Sequence, residues 1–72
     1  MTTQQLIYNY IKAYTENNGC PPTIREISTY VGVVESTVHR HIDKMVERGI
    51  MKKGGRGCAR TVRVIKNYES NN

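Results

Sequence analysis

The sequence contains neither tryptophan nor phenylalanine, and it has no long apolar run, since uninterrupted apolar stretches reach only two or three residues. A membrane-spanning helix needs about 20 apolar residues and a signal peptide needs an apolar core of its own. We therefore expect a soluble, cytoplasmic protein with no membrane partner. The 72 residues suffice for one small domain and leave no room for a second, catalytic one.

Cysteine is also scarce, with only Cys20 and Cys58 present. Small secreted domains that depend on disulfides usually contain four or more cysteines, so we predict that both are reduced thiols. A zinc site built from these two with His39 and His41 would have suitable ligand types, but it lacks the usual spacing, and the two histidines diverge by about 200° on a helix. We predict no metal, no cofactor and no small-molecule ligand.

Acidic residues are missing from the segment that runs from Arg48 to Lys66. The chain has a net charge of +5, and this segment contains seven basic residues and no acidic one. A charged surface that served only solubility would mix both signs. A local excess of positive charge favours a polyanionic partner.

What the sequence does contain begins with two helical patterns. Thr2 or Thr3 can cap a first helix, with Gln5 three residues beyond Thr2, and Asn17 to Gly19 end it. We expect its inner face to hold Leu6, Ile7, Tyr10, Ile11 and Tyr14 and its outer face to include Tyr8. After the extended Cys20-Pro21-Pro22 segment, Thr23 and Glu26 form a capping box for a short second helix that carries Ile24, Ile27 and Val31 and stops at Gly32.

A third helix is predicted over residues 36–48, with Ser36 as its N-cap and Gly49 as its stop. Val38, Ile42, Met45 and Val46 share one arc, which predicts packing on a core. The opposite face carries Ser36, Thr37, Arg40, Asp43, Lys44 and Glu47, with His39 and His41 at its borders. Because only a short link containing glycine separates the second and third helices, the pair fits a helix-turn-helix.

Two short strands are predicted after the third helix, over Ile50 to Lys53 and Thr61 to Ile65, with Val62 and Val64 facing inward. The turn between them is rich in glycine and carries Arg56 and Arg60. It lacks the spacing of a nucleotide-binding loop, and no helix follows it. The predicted fold is α/β, mainly α: a winged helix-turn-helix of three helices and a two-stranded antiparallel wing over residues 1–66, with 67–72 as a polar flexible tail.

The chain resembles a known family, the amino-terminal winged-helix domain of the bacterial SOS repressor LexA. The resemblance rests on the segments CPPTIREISTYVG and STVHRHIDKMVERGIMKK and spans about residues 3 to 65. It implies binding of double-stranded operator DNA and repression of transcription, with Ser36, Thr37, His39 and Arg40 at base-reading positions and Arg56 and Arg60 in the wing. The turn between Gly32 and Ser36 is one residue shorter than usual, which bears on the entry angle of the third helix.

The family's self-cleaving peptidase domain has no counterpart in the chain, so stimulated self-cleavage is not implied. An excised domain and a compact regulator from a mobile element both fit this absence. A homodimer on a palindromic site remains open, since the sequence offers no obvious interface.

We therefore predict a sequence-specific transcriptional regulator, a repressor, that binds double-stranded DNA. The predicted contacts of the recognition helix are Ser36, Thr37, His39, Arg40 and Lys44, and those of the wing and backbone are Arg25, Lys53, Arg56 and Arg60. The alternative is a winged-helix module for protein contact in a replication or transcription complex, which would need an acidic partner. An enzyme is not expected, because no constellation of paired carboxylates, nucleophile and base, or metal ligands is present.

Overall fold

The computed structural model describes residues 2–53 and 62–69, which form three helices and a two-stranded antiparallel sheet. The helices are α1 (Thr3–Asn18), α2 (Ile24–Val31) and α3 (Glu35–Glu47), and the strands are β1 (Met51–Lys53) and β2 (Val62–Val64). This order confirms the predicted winged helix-turn-helix. The glycine-rich turn with Arg56, Cys58 and Arg60 lies outside the described residues.

The first two helices begin where the side-chain caps predict. Thr2 Oγ1 accepts a hydrogen bond from the Gln5 amide at 3.1 Å. At α2 both halves of the capping box are formed: the Glu26 amide donates to Thr23 Oγ1 at 3.0 Å, and the Thr23 amide donates to Glu26 Oε1 at 2.8 Å. These bonds satisfy amides that no helical carbonyl can reach.

The turn between α2 and α3 places the two helices of the helix-turn-helix. Gly32 ends α2 with φ of +86°, a conformation that glycine adopts without steric cost. The Ser28 hydroxyl then donates to the Val33 carbonyl at 2.7 Å, and the Val33 amide donates back to the Ser28 carbonyl at 3.2 Å. The turn is therefore fixed from within α2.

The predicted N-cap of α3 is wrong by two residues. Val34, not Ser36, is the N-cap, and no side chain caps the helix. The Thr37 and Val38 amides both donate to the Val34 carbonyl, so the main chain closes the first turn. Glu35 in that turn faces the partial positive charge of the helix N-terminus, a favourable placement for a carboxylate. The Ser36 hydroxyl is therefore not needed for the cap.

The end of α3 leads directly into the wing. Gly49 has φ of +81°, its amide donates to the Val46 carbonyl, and the Ile50 amide donates to the Met45 carbonyl. This pair of bonds is a Schellman motif, in which a left-handed glycine reverses the chain. The predicted role of Gly49 as the stop is confirmed. In the sheet Met51 lies opposite Val64, so that β1 lies beside α3 and β2 lies beside α1.

The core consists of apolar side chains from all three helices and both strands. Val38 and Met45 of α3 have no exposed surface, and Ile42 is 3% exposed, so the predicted stripe of α3 is confirmed. Val62 is also buried, as the alternating pattern of β2 predicts. The remaining buried members are Ile7, Tyr8, Ile11, Ile27, Ile50 and Met51.

The predicted faces of α1 are partly wrong. Tyr8, expected on the outside, is 4% exposed, and Leu6, expected inside, is 38% exposed. The Tyr8 hydroxyl donates to the Lys66 carbonyl at 3.0 Å, and its ring lies 5.3 Å from the Tyr68 ring. The segment after β2 therefore covers a side of α1 that the sequence pattern of α1 predicts to be polar and exposed.

The segment after β2 differs from its prediction at one further residue. Tyr68, within the segment predicted as a flexible tail, packs against the core.

The prediction for Cys20 is also wrong. Cys20 was expected to be a reduced thiol, but it is disulfide-bonded in the structure. Cys58, the other residue predicted as a reduced thiol, lies outside the described residues. That prediction rests on the number of cysteines in the sequence, and this number carries no information about the distance between thiols in the fold.

The capping box of α2 supplies a stability prediction. Replacing Thr23 with Ala removes the oxygen that accepts from the Glu26 amide, and this should lower the free energy of unfolding by about 1 kcal/mol. Urea denaturation followed by circular dichroism measures the change. Thr29→Ala, an exposed position of the same helix, is the matched control and should change stability by less than about 0.5 kcal/mol. Equal effects of the two substitutions would refute the role of the cap.

Candidate nucleic-acid interface

The outward face of α3 carries four exposed polar side chains on adjacent turns. Ser36, His39, Arg40 and Lys44 are exposed, and Thr37 is half-buried. The spacing of three and four residues places such side chains next to one another on one helical surface. The structure therefore brings all five residues predicted for the recognition helix onto one accessible face.

The buried side of α3 fixes how this face is presented. Val38, Ile42 and Met45 lie in the core at intervals of four and three residues. A rotation of α3 about its axis would expose these side chains and bury Arg40 without a partner, and both changes cost free energy. The direction of the polar face is thus set by packing and does not depend on a ligand.

The basic residues after α3 are used in different ways. Arg48 donates to Gln4 Oε1 at 3.1 Å and to the Tyr68 carbonyl at 2.6 Å, and Lys53 Nζ lies 3.0 Å from Asp43 Oδ1. Both cations therefore have partners within the domain. The count of seven basic residues in this segment overstates the charge that remains for an external anion.

Two other cations of the wing lie side by side. Lys52 and Arg63 are opposite each other in the register of β1 and β2, and both are exposed. Like charges placed directly across a sheet repel each other, which costs stability unless an anion lies nearby. The outer face of the wing is therefore a second concentration of positive charge. Sequence reasoning did not single out this pair, because it depends on the strand register.

The remaining predicted wing and backbone contacts are not assembled in the described residues. Arg25 is exposed in the first turn of α2, next to the start of the helix-turn-helix. Arg56 and Arg60 lie outside the described residues. The described part of the wing thus contributes Lys53, whose ammonium already pairs with Asp43.

A polar network joins the back of α3 to α1 and to the segment after β2. Gln4 Oε1 accepts from Arg48 and from the Tyr68 hydroxyl at 3.3 Å, so its amide nitrogen faces His41 Nδ1 at 3.4 Å. The Arg48 guanidinium also stacks 4.7 Å from the centre of the Tyr68 ring, a favourable cation–π contact. The donors on Gln4 Oε1 require that His41 Nδ1 act as the acceptor.

The neutral form of His41 is favoured by its surroundings. Burial lowers the pKa of the His41 imidazole from its usual value, and the positive charges of Arg40 and Lys44 lower it further. A protonated His41 would direct an N–H toward the Gln4 amide nitrogen, which also carries hydrogens. The geometry of the network and the direction of the pKa shift therefore agree.

The described residues offer little else for chemistry. Within residues 2–53 and 62–69, no three His, Cys, Asp or Glu side chains are close enough to share a metal ion. None of the helices in the same ranges is long and apolar enough to cross a membrane.

Comparison with known proteins agrees with the geometry of α3 and the wing. The family model described as the LexA DNA-binding domain matches residues 1–61. The chain belongs to the LexA DNA-binding domain family. The matched residues include the whole helix-turn-helix and β1, so membership of the LexA family covers the elements that form the polar face. No solved structure matches the chain significantly.

Three LexA repressors illustrate the likeness. The LexA repressor of Clostridium kluyveri is 42% identical over 64 residues, which cover 88% of this chain and 31% of the relative. The LexA repressor of Limosilactobacillus reuteri is 45% identical over 51 residues, which cover 69% and 24%. That of Staphylococcus aureus strain Newman is 36% identical over 70 residues, which cover 96% and 33%. The chain thus spans a third or less of the length of these relatives.

The His41 network predicts that stability depends on pH. Because the pKa of folded His41 lies below its unfolded value of about 6.5, the unfolded chain binds more protons as the pH falls through this region. The free energy of unfolding that neutral His41 contributes is therefore fully present above about pH 7, and it is lost as the pH falls below about 6.5. Urea denaturation between pH 7.5 and 5.5 should show this decrease.

His41→Gln serves as the comparison, because its side-chain oxygen can accept from Gln4 and does not titrate in this range. The variant should retain its stability over the interval in which the native protein loses it. A native protein with constant stability from pH 7.5 to 5.5, or an equal decrease in both proteins, would contradict the assignment.

Proposed function

We propose that this chain is a sequence-specific transcriptional repressor that binds double-stranded DNA with α3 in the major groove. The observation that carries the proposal is the exposed polar face of α3, held outward by the buried Val38, Ile42 and Met45. Membership of the LexA DNA-binding domain family supports it. An α-helix fits the major groove, where side-chain donors and acceptors can distinguish all four base pairs.

Arg40 is the central base-reading residue in this proposal. It lies near the middle of the exposed face, and its guanidinium can donate two parallel hydrogen bonds to O6 and N7 of a guanine. Ser36, Thr37 and His39 lie closer to the helix N-terminus and contact bases or phosphates. Lys44 is one turn further along the helix and contacts a phosphate, as does Arg25 at the start of α2.

The wing contributes the contacts that do not depend on sequence. Arg56 and Arg60 bind phosphates on the backbone that flanks the major groove. Each neutralised phosphate releases counterions, so the affinity falls steeply as the salt concentration rises. Phosphate contacts fix the position of the protein on the duplex, and base contacts then provide its preference for one DNA sequence.

A titration with labelled duplex DNA tests the proposal. Fluorescence anisotropy with a random duplex of 20 base pairs at low salt should show binding that weakens with added salt. Selection from a randomised pool should then yield a motif, and a palindromic motif would indicate two copies of the protein one helical turn apart. Absence of binding at low salt would refute the proposal and favour a module for protein contact.

Arg40→Ala should weaken binding to the selected duplex by about 1–3 kcal/mol and relax the preference at one base pair. The measurement is anisotropy on the selected duplex and on its single-base variants. Lys66→Ala removes the same charge from an exposed position after β2 and should leave the preference intact. Retention of both affinity and preference in Arg40→Ala would contradict the placement of α3 in the groove.

Replacing Arg56 and Arg60 with Ala together should weaken binding to the selected and random duplexes alike. Each lost phosphate contact lowers the slope of log affinity against log salt by about 1, so the double variant should lower it by about 2. Titrations at four salt concentrations measure the slope. Loss of affinity for the selected duplex alone would show that these arginines read bases.

A further inference from the structure

The ion pair between Asp43 and Lys53 connects the recognition helix to the base of the wing. Asp43 lies on the outward part of α3, two residues beyond His41, and Lys53 is the last residue of β1. Their side chains meet at 3.0 Å, with 56% of Asp43 and 65% of Lys53 exposed. Asp43, Lys53 and His39 all line a groove of about 240 Å³ whose apolar wall includes Ile42 and Val62.

Such an exposed pair contributes little to folding, because water and salt screen it. Its position has a larger consequence for an anionic ligand. Asp43 lies on the same face as Ser36 and Arg40, where an unpaired carboxylate would repel phosphates. Lys53 neutralises that carboxylate, and Asp43 in turn competes with a phosphate for the Lys53 ammonium.

The pair also constrains the direction of the wing. Lys53 lies opposite Val62 in the sheet, at the point where the strands leave the described part of the wing. A contact from this point to α3 keeps the strand ends beside the polar face. Besides this pair, the sheet is held to the helices by its buried side chains Met51 and Val62 and by the chain connection through Gly49.

We propose that Asp43 is a positioning residue that favours sequence-specific over non-specific DNA binding by holding Lys53 against α3. This inference rests on the proposed function. Asp43 directs the wing to the duplex in one orientation and keeps Lys53 from adding a phosphate contact that every sequence offers. The cost is a lower affinity for random DNA.

The test compares four forms of the full chain: native, Asp43→Asn, the double variant Asp43→Asn with Lys53→Gln, and Glu16→Gln. Glu16 pairs with Lys12 on α1 at the same distance, 3.0 Å, with 64% and 45% exposed. Glu16→Gln therefore makes the same change in net charge and frees one lysine, away from α3. Each form is titrated with a random duplex and with the duplex selected by the native protein, between 50 and 200 mM salt.

Asp43→Asn should bind the random duplex more tightly at 50 mM salt, with a slope of log affinity against log salt steeper by about 0.9, the value for one added phosphate contact. Its ratio of selected to random affinity should fall. The double variant should regain the native slope of log affinity against log salt, because the pair it removes has no net charge. It should not regain the native ratio of selected to random affinity. Glu16→Gln should resemble the native protein in both respects.

Equal behaviour of Asp43→Asn and Glu16→Gln would overturn the proposal, since only net charge would then matter. A double variant with the slope of Asp43→Asn would also overturn it, because Lys53 would not supply the added contact. Failure of the native protein to bind either duplex would instead refute the proposed function. Circular dichroism and thermal unfolding of each form confirm that the exposed substitutions leave the fold intact.

Discussion

The burial of Val38, Ile42 and Met45 is the constraint on which the rest of the structure depends. These three side chains bind α3 to the core, and because they occupy one side of a helix, the polar residues must occupy the other. A small domain has few such contacts, so each contributes a large share of the total stability. Packing alone therefore determines which side chains of α3 can reach a ligand.

The two ends of α3 extend this constraint to its neighbours. At its start, the turn fixed by Gly32 and Ser28 sets α2 against it, and at its end the Schellman motif at Gly49 leads within two residues into β1. Neither connection has room to let the elements separate. The polar face of α3 and β1 consequently lie on one scaffold, which lowers the conformational entropy lost when both contact the same partner.

Local interactions made much of this fold predictable from the sequence. The caps at Thr2 and Thr23 and the stops at Gly32 and Gly49 depend on residues a few positions apart, and short patterns encode them. Tyr8 and Tyr68 were mispredicted because the contacts that cover them join residues about 60 positions apart, 58 in the case of Tyr8 and Lys66. The exposed face of α3 followed from periodicity, whereas the partners of Arg48 and Lys53 depend on how distant elements pack.

Those partners change how the charge of the chain relates to function. Sequence composition counts Arg48 and Lys53 as equal to any other cation, yet one is bonded to Gln4 and Tyr68 and the other to Asp43. By contrast, the main-chain cap at Val34 leaves the Ser36 hydroxyl unused by the cap that was predicted for it. Internal bonding thus removes some cations from the surface proposed to contact phosphates and leaves polar groups on the face proposed to contact bases. Phosphate contacts raise the affinity for every DNA sequence, whereas base contacts raise it for one. A protein with fewer free cations and more exposed polar side chains therefore discriminates better between sequences, and its total affinity for DNA is lower.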